Sequence, residues 1–481
     1  MTVRVLLVFP GSLFGGEWAA GPRLKPELVT LWTELRRAGL EVEVLDLEAE
    51  LGLPRDDAGR AAFLAGAERL LGDRSADLAL ISCWSALQYS AGVAVAERLR
   101  RLHPATVIAA HGHHVSARPG DFAYEGSPFN WLIVGEAEMA ALELAHAVAA
   151  GDRDVSSCRP LEGMPLPLDA AHLPDIAGYP YAGRGLPEVA VSLSRGCPYN
   201  APACLLRPGG AGWHAYPPDA AAALLAEAAA LEPARVDVLD PAFGYDPVWR
   251  RATFERLAHA DRRGVVVSLA ARPEGLARLD LDRLYHTRAE LRLDVGTLSW
   301  RLLRRTGEAA DPRKAVAHAV DLLTYTNAKG IVTVVSLTFG RPGETEETAT
   351  ETLDELETLI AALPNTSLRL QASSWAYQPS GDIEADLETP RRRFGTEIVH
   401  PEWWREPLPS REAATAVVAS AELAGRPPGD ESYWRPRFDE LAARLEAKLT
   451  AEARRGLRSH ESVGSEACGV PHGWLSEPRW H

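Results

Sequence analysis

The sequence predicts an α/β chain with two strand–helix series: a doubly wound parallel sheet in residues 1–150 and a (β/α) barrel in residues 186–400. In both halves, short apolar runs typical of buried strands alternate with helical periodicity. Between the halves, residues 151–185 are rich in Pro, Gly and Asp and show little periodicity. This segment predicts a linker, or a stretch of chain draped across a neighbouring surface.

The first half opens with an apolar run at residues 3–9 that does not alternate, which is typical of a strand covered on both faces. Pro10 and Gly11 end this strand. Leu28, Leu31 and Leu35 then have the spacing of one helix face. The further predicted strands are 40–47, 77–82, 107–110 and 132–134, and the further predicted helices are 91–102 and 138–149.

The second half continues the same rhythm. Its predicted strands are 189–194, 236–239, 265–269, 291–295, 331–339 and 367–372, separated by helices such as 220–231 and 312–329. Six parallel strands with intervening helices fit either a full or a partial (β/α) barrel, with a site at the carboxyl ends of the strands. Residues 401–481 predict a small, mainly helical, Trp-rich region and a loosely structured tail.

Composition excludes several classes of protein. The chain has 481 residues, of which 24% are charged and 46% hydrophobic, as in ordinary globular proteins. Its net charge of −15 would repel a polyanion, so we expect no nucleic-acid partner. No apolar run approaches the roughly 20 residues of a membrane span, and the first strand leaves no room for a signal peptide. We therefore expect a cytoplasmic protein with a small-molecule substrate and no membrane partner; its oligomeric state stays open.

Five cysteines, an odd and sparse set, argue against structural disulfides. Cys197 and Cys204 lie seven residues apart on a Gly/Pro-rich loop after the first strand of the second half. They could ligate iron or zinc, although two thiolates complete neither a zinc site nor an iron–sulfur cluster. The alternative is a pair of inert cysteines in a tight loop, and spacing alone does not decide between the two.

A histidine-rich loop, residues 111–114, follows a predicted strand of the first half. Ligands of open α/β sheets bind at such loops. Gly112 permits close backbone approach, and His111, His113 and His114 offer hydrogen bonds or metal ligation, unless they are simply solvated. Further on, residues 135–138 (Gly-Glu-Ala-Glu) are an acidic helix start that complements the helix dipole.

Taken in order, these motifs resemble those of the cobalamin-binding radical S-adenosylmethionine (SAM) proteins, from residue 3 to about residue 385. Residues 111–114 occupy the place of that family's Gly-Gly-Pro-His, and residues 135–138 the place of its Gly-Glu-Gly-Glu. Residues 194–199 match its Ser-Arg-Gly-Cys-Pro-Tyr. Three later stretches also match motifs of the family, in the same order along the chain. They are residues 239–243, which include Asp240, residues 339–345, which include Gly340, and residues 377–381.

The resemblance implies a Rossmann-like cobalamin-binding domain (1–150), a linker (151–185), a partial (β/α)6 radical SAM barrel (186–400) and the C-terminal region (401–481). Residues 1–150 contain no Asp-x-His-x-x-Gly motif, which would supply a histidine as the lower ligand of cobalt. We therefore expect the lower face of the cobalt to rest on loop residues 82–84. The alternative for these three residues is that they pack at the end of a strand. The residues implied for cofactor binding are Ser82, Cys83, Trp84, His111, Gly112, His113, His114, Gly135, Glu136, Asp240 and Gly340, with Cys197 and Cys204 as residual cluster ligands.

The chain departs from the family pattern at three positions. Ala201 stands where the middle cluster cysteine falls, Ala203 replaces an aromatic residue, and Leu298 replaces a SAM-contacting glutamate. A missing thiolate leaves one iron without a protein ligand unless Cys468, His111, another side chain or water replaces it. We therefore expect a naturally degenerate member that binds cobalamin and can bind SAM, whereas a [4Fe–4S] cluster is doubtful. An engineered Cys-to-Ala change at position 201 is the alternative.

The function implied by the resemblance is methyl transfer from SAM, through cob(I)alamin and methylcobalamin, to a small specialised-metabolite substrate. With radical SAM cleavage lost or impaired, the methyl acceptor should be an activated, nucleophilic position. One alternative is an active radical SAM methylase with an unusual third cluster ligand. Another is a non-catalytic protein that binds a corrinoid or a partner.

Overall fold

The computed structural model describes residues 3–13, 23–153, 157–198, 212–378, 383–406, 410–451 and 453–454. The first half contains β1 (Arg4–Phe9), β2 (Arg23–Leu24), α1 (Pro26–Arg37), β3 (Glu41–Asp46), α2 (Leu47–Leu51), α3 (Asp57–Gly72), β4 (Leu78–Ser82), α4 (Tyr89–Leu102), β5 (Val107–His111), α5 (His113–Ala117), β6 (Trp131–Gly135), α6 (Ala137–Ala149) and β7 (Arg159–Gly163).

The second half follows with β8 (Glu188–Val191), β9 (Ser194–Arg195), β10 (His214–Ala215), α7 (Pro218–Ala230), β11 (Arg235–Val238), α8 (Pro247–Leu257), β12 (Val266–Ala271), α9 (Arg278–Thr287), β13 (Glu290–Gly296), α10 (Trp300–Thr306), α11 (Pro312–Lys329), β14 (Thr333–Phe339), α12 (Glu346–Ala362) and β15 (Leu368–Ser374). The C-terminal region comprises α13 (Ile383–Phe394), β16 (Glu397–Ile398), α14 (Arg411–Thr415), β17 (Val417–Val418) and α15 (Arg435–Glu446).

The first sheet is parallel, in the order β3-β1-β4-β5-β6-β7. Alternate residues of β1 enter two different apolar cores. Leu6 and Val8 pack with α3 and α4 on one face, whereas Leu7 and Phe9 pack with α1 and α6 on the other. A strand covered on both faces has no polar alternation, which explains why the sequence of β1 is continuously apolar.

The second sheet is also parallel, in the order β15-β14-β13-β12-β11-β8-β2. Its linear order makes it an open, partial barrel within the described residues. The short strand β2 belongs to the first half of the chain but pairs with β8, Leu24 opposite Val189. The α/β class, with a doubly wound sheet and a partial barrel, is therefore confirmed.

The segment expected to be a linker packs between the two sheets. Tyr179 and Tyr181 are buried in the same apolar core as α1 and the barrel strands. The Tyr181 hydroxyl accepts a hydrogen bond from the Asp46 backbone N–H at 3.0 Å and donates one to Glu50 at 2.9 Å. This stretch is thus draped over the first sheet's helices and fixes the barrel against them.

Several elements of the first half were not anticipated from the sequence, β7 and α3 among them. Strand β7 lies within residues 151–185 and contains Pro160, which is tolerated because β7 is at the edge of the sheet. Helix α3 is rich in Ala and Gly, so its apolar stripe is weak, although Phe63 and Leu71 are buried. Neither element carries the strong periodicity on which sequence-based assignment depends.

The C-terminal region covers the carboxyl ends of β14 and β15 through buried indoles. Trp403 and Trp404 are fully buried beside Trp375 and Tyr377, and Trp434 stacks on Phe339 with ring centroids 4.4 Å apart. These indoles serve as packing groups. Trp474, Trp480 and Cys468 lie outside the described residues.

The Trp434→Ala substitution should lower the free energy of unfolding by about 3–5 kcal/mol, because it removes a buried indole stacked on a barrel strand. Denaturant unfolding followed by circular dichroism measures the change. Tyr285→Ala, at an exposed position on α9, is the matched control and should leave the transition almost unmoved. Equal effects of the two substitutions would contradict the packing role of Trp434.

Candidate functional site

The carboxyl ends of the two parallel sheets face one another across an open cavity of about 1010 Å³, a volume that includes solvent space at its mouth. Loops after β4, β5 and β6 form one wall, and the loops after β8 and β11 form the opposite wall. The lining residues are Glu27, Leu31, Trp84, His111, Gly112, His113, Ser116, Gly135, Glu136, Ala137, Glu138, Ser192, Ser194, Arg195, Gly196, Leu239 and Pro241. Two ligand-binding edges of α/β sheets thus share one site.

Gly112 fixes the histidine loop against the loop after β4. Its φ is +118°, and a Cβ at this position would approach the Cys83 carbonyl oxygen to 2.5 Å. The Cys83 N–H donates to the His111 carbonyl at 2.7 Å, and the His114 N–H donates to the Cys83 carbonyl at 3.1 Å. Only glycine permits this approach, so the expected close backbone contact is present, although it is made to protein.

The histidines at positions 111 and 113 both line the cavity but have different partners. His111 is buried, and its Nε2 lies 2.9 Å from the Ser82 hydroxyl. Burial lowers the pKa of His111 to about 4. His113 is half-buried and makes no hydrogen bond to a described residue. Burial, assisted by the charge of Arg195, lowers its pKa to about 4 as well, so both imidazoles are neutral at neutral pH.

His114 faces away from the cavity and joins the first sheet to the C-terminal region. Its Nε2 lies 3.0 Å from Asp121 Oδ2, which also accepts a hydrogen bond from Trp404 Nε1 at 2.7 Å. Arg405 donates to the other oxygen of Asp121 at 2.6 Å. Burial would raise the pKa of Asp121, but the His114 ring and the nearby arginines outweigh it and lower that pKa to about 2. His114 is therefore a structural residue.

An ion cluster at the cavity wall connects the two sheets. Arg195 on β9 donates to Glu136 Oε2 at 2.6 Å and to Glu138 Oε1 at 2.8 Å, both at the start of α6. The His214 ring lies 3.3 Å from Glu136. Burial would raise the pKa of Glu136, but His214 and Arg195 outweigh it and hold it at about 2. A fixed cation thus bridges two carboxylates across the interface.

Asp240 lies behind the cavity and holds the loop that leads to Cys197. Its carboxyl accepts the Leu193 N–H at 2.7 Å and the Ser194 hydroxyl at 2.6 Å. Burial raises the pKa of Asp240 to about 7. Asp240 is therefore a positioning residue for the turn between β8 and β9.

The cysteine loop is described only up to residue 198. Cys197 is half-buried, whereas Cys204, Ala201 and Ala203 lie outside the described residues. Within the described ranges, no group of three or more His, Cys, Asp or Glu side chains is placed to hold a metal ion. Leu298, in the place of the expected glutamate, is fully buried. The loss of the cluster thus stays a prediction.

Gly340 lies in a different cavity, under the C-terminal region. This cavity of about 370 Å³ is lined by Gly340, Trp375, Trp434 and their neighbours. The Gly340 N–H donates to Glu344 at 2.8 Å, and the Tyr433 hydroxyl donates to the same oxygen at 2.8 Å. Gly340 therefore shapes the loop after β14 and does not face the first sheet.

A further cavity of about 730 Å³ lies at the carboxyl ends of β12, β13 and β14. Its lining includes Arg272, Asp294, Thr338 and Arg341. Arg272 Nη1 is 3.7 Å from Asp294 Oδ2, and the buried Arg341 pairs with Glu308. Charges of both signs therefore line the barrel mouth on this side.

Of the residues implied by the sequence, the structure brings six together at the main cavity: Trp84, His111, Gly112, His113, Gly135 and Glu136. Ser82 supports His111, and Cys83 is buried with its thiol 3.8 Å from the Ser85 carbonyl oxygen. Sequence reasoning missed Glu27, Glu138, Arg195 and His214. Arg195 stood within the Ser-Arg-Gly-Cys motif, whereas nothing in the sequence marks Glu27, whose pKa is raised by burial.

Two solved structures of the radical SAM methyltransferase TsrM from Kitasatospora setae resemble almost the whole chain. The one with cobalamin and a [4Fe-4S] cluster bound has a TM-score of 0.66 at 19% identity, covering 94% of this chain and 90% of that chain. The chain shares the fold of TsrM. A second TsrM structure, with tryptophan substrate and the SAM analogue aza-SAM bound, has a TM-score of 0.63 at 19% identity and the same coverage.

No model of a known protein family matches the sequence, and no curated protein matches it either. The likeness to TsrM, at 19% identity, concerns the fold. In the part of the chain that the structure describes, no helix is both long and apolar enough to traverse a membrane.

The Asp240→Asn substitution should change how stability depends on pH. Because the folded-state pKa of about 7 lies above the ordinary value of 3.8, the stability contributed by protonated Asp240 is complete below pH 3.8 and is lost as the pH rises through 7. Asn accepts the Leu193 N–H through its oxygen and can donate its amide N–H to the Ser194 hydroxyl, and neither bond depends on pH. The free energy of unfolding of the variant should therefore rise relative to that of the wild type between pH 4 and pH 8, as measured by denaturant unfolding at each pH. If the two proteins showed the same dependence of this free energy on pH, the raised pKa of Asp240 would be contradicted.

Proposed function

We propose that the chain is a cobalamin-dependent methyltransferase that takes a methyl group from SAM and transfers it to a small molecule. The observation that carries the proposal is the cavity between the facing carboxyl ends of the two sheets. TsrM, which shares the fold, has been solved with cobalamin bound.

The residues at the cavity fit a corrinoid. A corrin is a broad, flat macrocycle with apolar faces and a rim of amide groups. Trp84, Leu31 and Leu239 supply apolar walls, while Glu27 and Ser192 supply polar atoms for the rim. A mostly apolar lining with a few placed polar groups is the usual composition of a cofactor site.

When bound, cobalamin supplies the methyl-transfer chemistry through its cobalt. The chain's own residues hold the two walls in place. Arg195 fixes the barrel loop to Glu136 and Glu138, and Asp240 fixes the turn before Cys197. Leu239 and Trp84 line the apolar part of the cavity and would exclude water there once a corrinoid is bound.

The cavity at the ends of β12–β14 suits SAM or the methyl acceptor. SAM carries an amino and a carboxylate group, and Arg272 and Asp294 offer one charge of each sign to such a zwitterion. We propose that one of these two molecules binds here. The tryptophan substrate belongs to TsrM; for this chain we propose only a small molecule with a nucleophilic acceptor atom.

The acceptor class follows from the cysteine loop. Methyl transfer to an unactivated carbon requires a radical generated by a cluster, whereas a nucleophilic atom can attack the methyl group directly. With Ala201 in place of a third thiolate, a stable site-differentiated cluster lacks one protein ligand. The proposal therefore includes polar methyl transfer with reductive SAM cleavage lost or impaired.

Corrinoid binding is the decisive test. The full chain, reconstituted anaerobically with hydroxocobalamin and desalted, should retain about one corrinoid per chain, measured by its visible absorbance. Leu239→Trp should reduce the retained corrinoid at least about tenfold, because the indole fills the apolar wall. Leu279→Trp, on the exposed surface of α9, is the matched control and should bind like the wild type.

A chain that retains no corrinoid would refute the proposal. If Leu239→Trp retained as much corrinoid as the wild type, the cofactor would have to bind at another surface. A corrinoid-loaded chain that forms no methylated product from labelled SAM with any nucleophilic acceptor would favour the non-catalytic alternative.

The Ala201→Cys substitution completes the Cys-x3-Cys-x2-Cys pattern and should raise iron and sulfide after anaerobic reconstitution to about four of each per chain. Deoxyadenosine released by reductive SAM cleavage should appear with the variant and stay near background with the wild type. Ala201→Ser, which adds an oxygen in place of a thiolate, is the control. A wild-type chain that already holds about four irons and cleaves SAM would instead favour the active radical SAM alternative.

A further inference from the structure

His113 is an imidazole at the cavity wall whose ring nitrogens no described residue engages. Its neighbours are different: His111 is paired with Ser82, and His114 is paired with Asp121. The spacing of the three histidines gave no sign of this difference. Of the two histidines that line the cavity, His113 is the one whose ring makes no hydrogen bond to a described residue.

The backbone on both sides of His113 is held firmly. Gly112 adopts a φ of +118° against the Cys83 carbonyl, and the Ser116 N–H donates to the Gly112 carbonyl at 2.9 Å. The Ser116 hydroxyl also donates to that carbonyl, at 2.9 Å, and accepts the Gly135 N–H at 2.9 Å. The ring of His113 is thus carried by a fixed loop of the first sheet, as a metal ligand must be.

The other ligand atoms of this wall are already occupied or less suitable. Arg195 engages Glu136 and Glu138, and His111 is buried, with its Nε2 2.9 Å from the Ser82 hydroxyl. Glu27 lies on α1, and its carboxylate is a harder donor than imidazole. Imidazole nitrogen is the protein donor that best suits a late first-row transition metal.

We infer that His113 coordinates the cobalt of the bound corrinoid, on the face that rests against the loops of the first sheet. The inference deepens the proposed function and rests on it. A lone pair of one ring nitrogen forms the bond, and the cobalt releases either a water molecule or the cofactor's own benzimidazole. No electron is transferred, so the cobalt keeps its oxidation state.

This ligand differs from the one considered from the sequence. The Asp-x-His-x-x-Gly motif is absent from residues 1–150, and the loop at residues 82–84 was expected beneath the cobalt. In the structure, Ser82 and Cys83 are buried away from the cavity and only Trp84 lines it. His113 comes from the next loop along the sheet.

Electron paramagnetic resonance of the Co(II) form tests the inference on the full chain. The protein is produced with ¹⁵N-labelled histidine and loaded with unlabelled cobalamin. Coordination by a protein histidine splits the cobalt lines into doublets, because ¹⁵N has spin one-half. Retained benzimidazole, with ordinary nitrogen of spin one, gives triplets. We expect doublets in the wild type, and their loss in His113→Ala with the corrinoid still bound.

His286→Ala, at an exposed position on α9, is the matched control and should keep the doublets. Triplets, or unsplit lines, in the labelled wild type would overturn the inference even if His113→Ala failed to fold. Doublets that persist in His113→Ala and vanish in His111→Ala would also overturn it. In each of these cases the bound corrinoid leaves the proposed function standing, whereas a chain that binds no corrinoid refutes both.

Discussion

The position of the cavity depends on one cation that is mostly withdrawn from water. Arg195 precedes the cysteine loop of the barrel and pairs with Glu136 and Glu138, which begin a helix of the first sheet. A charge that is mostly withdrawn from water is tolerated only with its partners in place, so the three residues fix the two sheets at the point where their ligand-binding edges meet. A change in the angle between the sheets would separate Arg195 from the two glutamates and would open the cavity at the same time.

The C-terminal region joins the two halves a second time, on the far side of the histidine loop. Asp121 of the first half accepts hydrogen bonds from Trp404 and Arg405, while Trp434 stacks on Phe339 at the end of a barrel strand. A corrinoid between the halves therefore meets walls held at two separate places. Such preorganisation reduces the ordering that binding must otherwise impose on the protein.

The histidines of residues 111–114 show what a sequence motif can predict about a site and what it cannot. Their place after a buried strand predicted a ligand-binding edge, and two of the three do line the cavity. Residues 111–114 span the end of a strand and the start of a helix, where successive side chains point in different directions, so His113 faces the cavity while His114 meets Asp121. Gly340 lies apart from these residues, because β14 is four strands from β8 in the sheet and borders a different cavity.

The sequence by itself determined two parallel sheets built from alternating strands and helices, except for elements such as β7 and α3, and the loops that hold the cysteine and histidine motifs. It could do so because burial on one or both faces of an element imposes a local, periodic pattern. Only the tertiary structure decided that Glu27, His113 and Arg195 share one cavity. Their meeting depends on the packing of one sheet against the other and on side-chain directions, and no local pattern encodes either.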